Sequence, residues 1–195
     1  MRVHLIHGIH TAGAGPISQF APLLRARGFK VVDPDYGWIA GLETRIVNPI
    51  IRGAIFPYIE PGDICIGHSN GCAIIYDLMK IGAPIQGAVF INAALEREIV
   101  LPPAVRWLDV HFNKDDDITI AAQIAEKLHL VDPVWGEMGH AGYLGTDKRI
   151  ANFDDQAGAG MPIVRWHSGF FEPANFVAWG PFEVDRIERY VTIVG

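Results

Sequence analysis

Asp63-Ile64-Cys65-Ile66-Gly67-His68-Ser69-Asn70-Gly71-Cys72-Ala73-Ile74-Ile75-Tyr76 decides how the rest of the chain is read. Pro61-Gly62 ahead of it is a turn signal. The apolar run that follows suits a strand buried on both faces, and the run onward to Gly82 suits a helix. Between them stands Gly67-x-Ser69-x-Gly71. Strand, G-x-S-x-G and helix in that order make a nucleophile elbow, a sharp reversal that presents a serine at the edge of a sheet. Ser69 is therefore expected in a strained conformation costing roughly 1–3 kcal/mol, solvent-facing rather than packed. Glycine at 67 and 71 removes side chains that would collide in so tight a turn. With three serines and 21 glycines in 195 residues, composition alone would produce the motif about 0.03 times.

A chain of 195 residues, half of them hydrophobic and 19% charged, suits a single domain, 1–195, with one sizeable core. The net charge of −6 argues against a nucleic-acid partner, because nothing here would neutralise a row of phosphates. Cys65 and Cys72 fall on a buried strand and the helix after it, so they read as small core residues and not as a disulfide. The opening residues 1–7 are too short and interrupted an apolar run for a signal peptide, and no later stretch is long enough to span a bilayer. A cytoplasmic location without membrane attachment is the expectation.

Taken in order, residues 3–6 read as a strand, 17–27 as an amphipathic helix capped by Gly28, and 30–32 as a short strand. Residues 43–58 are mostly helical in pattern, with Pro49 expected to break or kink the helix. Strands follow the elbow at 86–92 and 106–112, then a helix at 118–130 with Asp117 as a possible cap. Residues 163–167 read as the last strand and 182–191 as a terminal helix. The alternation predicts an α/β fold: a three-layer α/β/α sandwich with a mostly parallel sheet of about six strands. Residues 131–162 form a long glycine-rich connection, expected to act as a mobile cover or else as an ordered surface loop.

Together these residues resemble the α/β-hydrolase superfamily, in particular its small serine esterases and lipases. The likeness covers nearly the whole chain: a first strand ending in His7-Gly8, the elbow at Ser69, then an acidic loop and a histidine in the order Ser…Asp…His. Relative to the superfamily's usual order the sequence begins at the third strand, which implies a minimal core. The resemblance implies that the backbone N–H groups of Ile9 and Asn70 face a developing oxyanion, with His7 bracing the loop.

For the triad acid, Asp116 with Ile118 fits the pattern of strand, polar residues and Asp-x-apolar; Asp117 is the alternate, and Asp115 is read as facing solvent. For the base, His167 fits in order and context, with His140 in the glycine-rich segment as the alternate. His68 sits inside the elbow, where it does not easily reach the front of Ser69; His111, within a strand, and His129 read as structural. Tyr36, Trp38, Leu95, Trp135 and Tyr143 are expected to line an apolar substrate pocket, beside Ile9. No metal or other cofactor is expected. His4, His7 and His10 recur every three residues, but residues three apart on a strand point to opposite faces. The resemblance implies a carboxylic-ester (or thioester) hydrolase that forms an acyl-enzyme on Ser69, acting on a small-molecule acyl substrate. An acyltransferase on the same residues and an inactive binding protein on the same fold are the rival readings.

Overall fold

Side chains alternate along the strands and feed two cores, one on each face of a single sheet. In β3 (Asp63–His68), Ile64 and Ile66 enter one core and Cys65 the other. In β4 (Ile85–Ile91), Val89 and Ile91 face the first side, and Ala88 and Phe90 the second. Full burial of one such large apolar side chain contributes about 1.5–3 kcal/mol, so both faces of every central strand demand a cover.

The computed structural model describes residues 1–9, 15–37, 44–116, 118, 136–154 and 167–194. The remaining strands are β1 (Arg2–Ile6), β2 (Lys30–Val32), β5 (Trp107–Phe112) and β6 (Ile150–Asp154). All pairings are parallel, in the order β2-β1-β3-β4-β5-β6. The helices are α1 (Phe20–Ala26), α2 (Thr44–Ile55), α3 (Asn70–Lys80), the short α4 (Met138–Ala141) and α5 (Pro173–Val194). Helices α1 and α5 cover one face through Phe20, Leu24, Trp179 and Ile187; α2 and α3 cover the other through Ile51, Ile55, Ile74 and Leu78. The three-layer α/β/α arrangement expected from the sequence is the one observed. No helix among the described residues is long and apolar enough to cross a membrane.

Three elements differ from expectation. The sixth strand is β6, inside the segment read as a long loop; residues 163–166 lie outside the described residues and His167 is in a turn. With its apolar Ile150, Ala151 and Phe153 interrupted by Asn152 and Asp154, β6 pairs at the sheet edge and carries no strong apolar run to announce it. Helix α2 continues through Pro49, which lies on the exposed face, where a carbonyl left unpaired in the preceding turn is open to solvent. Helix α5 starts nine residues before the expected 182, passing through Pro181. Of the helix expected at 118–130, Ile118 is helical and the rest lies outside the described residues.

Two buried polar clusters brace the fold, one within the sheet and one between the sheet and α5. At the start of β3, Asp63 accepts hydrogen bonds from Arg2 Nε (3.0 Å) and Nη2 (2.9 Å), His4 Nε2 (2.8 Å) and the Glu60 N–H (2.9 Å). Burial by itself would raise the Asp63 carboxyl, but these donors outweigh it and hold the group below the usual carboxylate range. On β5, Asp109 and His111 face α5: Arg186 donates to Asp109 at 3.0 and 3.1 Å, and His111 Nε2 meets Glu183 at 3.0 Å. Burial, and then the neighbouring Glu183, push Asp109 up to about 7. His111 is thus structural, as its place within a strand suggested.

Phe20 is buried edge-on to Phe176 and Trp179 at ring distances of 5.1 and 5.3 Å, joining α1 to α5. Phe20→Ala is expected to lower unfolding free energy by about 3–5 kcal/mol, measured by urea titration. Asp63→Asn is expected to destabilise near neutral pH. Because the folded-state pKa is depressed, Asp63's contribution is present above its unfolded value and lost as pH falls through the lower folded value. The gap between wild type and variant should therefore shrink once pH drops below about 4.

Candidate active site

Ser69 follows β3 and precedes α3 with φ 56° and ψ −124°, a conformation L-residues rarely adopt. The surrounding backbone holds it there: its N–H donates to the Ile91 carbonyl (3.0 Å), and its own carbonyl accepts from Cys72 (3.1 Å) and Ala94 (3.3 Å). The flanking glycines are required by close approach. A Cβ on Gly71 would lie 2.1 Å from the Ile6 carbonyl oxygen, and one on Gly67 would lie 2.7 Å from Ile75 Cδ1. A third glycine, Gly8, backs on to the serine; a Cβ there would lie 2.9 Å from Ser69 Cβ and 3.4 Å from Oγ. With the loop after β1 this close, Ser69 is only 4% exposed, not solvent-facing as expected.

His167 and Asp116 meet directly. His167 Nδ1 donates to Asp116 Oδ2 at 2.8 Å and lies 2.9 Å from Oδ1. Asp116 is buried, and its loop is set by local turns: its N–H donates to the Asn113 carbonyl (2.9 Å), and its Oδ1 accepts from Ile118 N–H (3.2 Å). With Nδ1–H committed to the carboxylate, the neutral imidazole carries its lone pair on Nε2. That nitrogen is buried and has no hydrogen-bond partner among the described residues. His167 also lies at Ser69's end of the sheet: its carbonyl accepts from His68, the residue before Ser69, at 3.1 Å. The two rings are 4.9 Å apart.

The loop after β1 is braced. His7 Nδ1 donates to the Gly8 carbonyl (2.8 Å), and the Tyr36 ring stacks on His7 at 3.8 Å with its hydroxyl donating to the His7 carbonyl. Burial lowers the His7 pKa and raises that of Tyr36, so both stay neutral near pH 7. Asn70 opens α3, at the helix end where first-turn N–H groups point outward. Its side chain is turned to α2, exchanging two 2.9 Å hydrogen bonds with the buried amide of Asn48.

The remaining candidates distribute as follows. Asp117, Trp38 and Trp135 lie outside the described residues, as does His10. Asp115 is exposed, as read. His140 sits in α4, half-buried, while the carboxylate pairing seen for Asp116 is with His167. Leu95 is a core residue rather than an open pocket wall, because α4 packs over it and Met138 N–H takes its carbonyl. Tyr36 is the brace of the β1 loop. Tyr143 is half-buried; its backbone is bonded on both sides to Asn152, and its ring lies over Gly145. Residues 136–154 of the segment expected as a cover or a surface loop are tied to the sheet, with Gly139 N–H on the Ala93 carbonyl (2.9 Å), Arg97 on the carbonyls of Ala141 and Gly142, and β6 in the sheet; the rest of that segment lies outside the described residues. Among the described residues no three His, Cys, Asp or Glu side chains cluster as metal ligands.

Sequence reasoning overlooked Asn92, His68 as a hydrogen-bond donor, and the Asn48–Asn70 pair. Asn92 has φ 45°, and asparagine at the end of a strand is the sole, weak sequence signal for that conformation.

No protein-family model and no curated protein matches the chain. Solved structures do. A pyrethroid hydrolase from Sphingobium faniae JZ-2 is 16% identical, with 98% of this chain and 97% of that one covered and a TM-score of 0.54. The Paleococcus ferrophilus monoacylglycerol lipase is 16% identical over 97% of this chain and 93% of its own, with a TM-score of 0.52. A protein from Xanthomonas campestris described as a hydrolase of the alpha/beta superfamily is 13% identical over 97% and 98%, with a TM-score of 0.50. The chain has the α/β-hydrolase fold. On this fold the end of β3 is where the elbow stands, and Ser69 with its strained φ occupies it.

Gly8→Ala is expected to leave the circular dichroism spectrum unchanged while displacing Ser69. Urea titration should show a loss of about 1–3 kcal/mol of stability, the cost of forcing a side chain into a contact already filled by Ser69.

Proposed function

We propose that this α/β-hydrolase-fold domain, residues 1–195, is a serine hydrolase that cleaves carboxylic esters or thioesters of small to medium acyl chains through an acyl-enzyme on Ser69. One observation carries the reading: a buried histidine–aspartate pair, His167 and Asp116 at 2.8 Å, stands at the sheet end that holds Ser69 in a strained turn. Ser69 Oγ attacks the carbonyl carbon as His167 Nε2 takes its proton. Asp116 keeps the imidazole in the Nδ1–H tautomer and stabilises the imidazolium. The carbonyl oxygen gains charge facing the backbone N–H groups of Ile9 and Asn70, fixed in place before the charge forms. His167 returns its proton to the departing alcohol or thiol, and a water activated by the same nitrogen releases the acid. Neighbours named as a pyrethroid hydrolase and a monoacylglycerol lipase support a hydrolase. Cys65 and Cys72 are buried free thiols with pKa values raised by burial, so neither competes with Ser69 as a nucleophile.

A fluorophosphonate probe should label Ser69, and a panel of p-nitrophenyl esters should be hydrolysed. Ser69→Ala is expected to abolish both while retaining the fold; full ester turnover in that variant would refute the assignment. Asp116→Asn should lower kcat by up to about 10⁴, because the wrong tautomer then faces Ser69. Asp117→Asn should change turnover little, as loss of a helix cap costs about 1 kcal/mol of stability. Product analysis with added alcohols separates hydrolysis from acyl transfer.

A further inference from the structure

His167 sits in a turn, outside any strand or helix, so regular backbone pairing does not set the height of its ring above the sheet. Its carbonyl is instead gripped by two side chains, Asn92 Nδ2 at 2.5 Å and His68 Nε2 at 3.1 Å. Both donors come from strand ends next to the nucleophile. His68 closes β3 immediately before Ser69; Asn92 follows Ile91, whose carbonyl accepts the Ser69 N–H. Both side chains are buried, and Asn92 is fixed further by its own N–H to the His111 carbonyl at 2.9 Å.

We propose that His68 and Asn92 are positioning residues that clamp the His167 carbonyl and thereby set the imidazole against both Ser69 and Asp116. This rests on the reading of Ser69, His167 and Asp116 as one catalytic unit. A backbone oxygen accepts only, so His68 must carry its proton on Nε2. Burial, followed by the nearby His167 and His7, pushes the His68 pKa down to about 3, so the ring stays a neutral donor across the neutral range. It lies edge-on to Phe171 at 5.0 Å, which leaves the ring little room to turn away. Asn92 spends a left-handed backbone to aim its amide, a conformation asparagine tolerates and most residues do not. The clamp therefore couples two strand ends to the His167 turn: movement of β3 or β4 shifts the nucleophile and its base together.

The test uses Asn92→Gly, which keeps positive φ accessible but removes the amide, together with His68→Leu and His68→Gln, the latter retaining a donor. kcat and KM are measured on a p-nitrophenyl ester, with active sites counted by end-point fluorophosphonate labelling and folding checked by urea midpoint. The downfield proton resonance of the His167–Asp116 hydrogen bond is followed by NMR. Asn92→Gly and His68→Leu should lose kcat by roughly ten- to a hundredfold per labelled site. KM should stay within about twofold, and the downfield resonance should broaden or vanish. His68→Gln should recover most of the loss seen in His68→Leu. Unchanged kcat per labelled site with an intact resonance in these variants would overturn the clamp. If Asn92→Gly does not fold, the His68 pair decides by the same criteria. Failure of the wild type to label at Ser69 would instead overturn the functional reading on which the clamp rests.

Discussion

The chain reversal at Ser69 is the constraint around which the rest is arranged. A non-glycine residue at φ 56° is unfavourable by itself and persists only where neighbours over-determine it. Here three glycines let backbone approach backbone on every side. Gly71 lies against the end of β1, Gly67 against α3, and Gly8 against the serine itself. The same close approach brings β1, β3 and α3 together at one end of the sheet, so the strain is local while its support is spread across the central layer.

A parallel sheet places all its strand C-termini at one edge, and the side chains discussed above are drawn from that edge. Ser69 leaves β3, Asn92 leaves β4, Asp116 lies beyond β5, and the His7–Ile9 loop leaves β1. Polar atoms gathered there in a buried setting need partners, since an unmet donor or acceptor costs about 1–3 kcal/mol. Most have them: the Asn48–Asn70 pair, the His7–Gly8 bond and the Asp116–His167 pair account for side chains that would otherwise be stranded. Among the described residues Asn92 Oδ1, Asn113 Nδ2 and His167 Nε2 lack a hydrogen-bond partner, and the last is the atom that the proposed chemistry requires to be ready for a proton.

His167 also depends on α5. The turn after it is held by α5 side chains, with Asn175 Nδ2 donating to the Gly169 carbonyl and Trp179 Nε1 to the Phe170 carbonyl, both at 2.6 Å. Helix α5 is docked on β5 through the Asp109–Arg186 and His111–Glu183 contacts and on α1 through Phe20. A histidine carried on a turn thus takes its position from the packing of the longest helix in the described structure.

Much of this was legible in local sequence because the signals are local. Two-sided apolar runs around 64–66 and 86–91 mark buried parallel strands, and G-x-S-x-G between a strand and a helix marks the reversal; both follow from steric and solvation rules acting within a few residues. The β1, β3, β4 and β5 strands needed nothing more. Strand β6 was missed because an edge strand with polar neighbours carries little apolar pattern, and its pairing energy comes from β5 rather than from itself. The Asp-x-apolar pattern alone favours Asp116 over Asp115 and Asp117; that its carboxylate meets a histidine fifty-one residues away in the chain is visible only in the tertiary structure. Likewise, nothing near His68 or Asn92 in sequence announces a shared carbonyl partner at position 167. Contacts between residues distant along the chain are settled by how strands register and helices dock, and only the tertiary structure decides them.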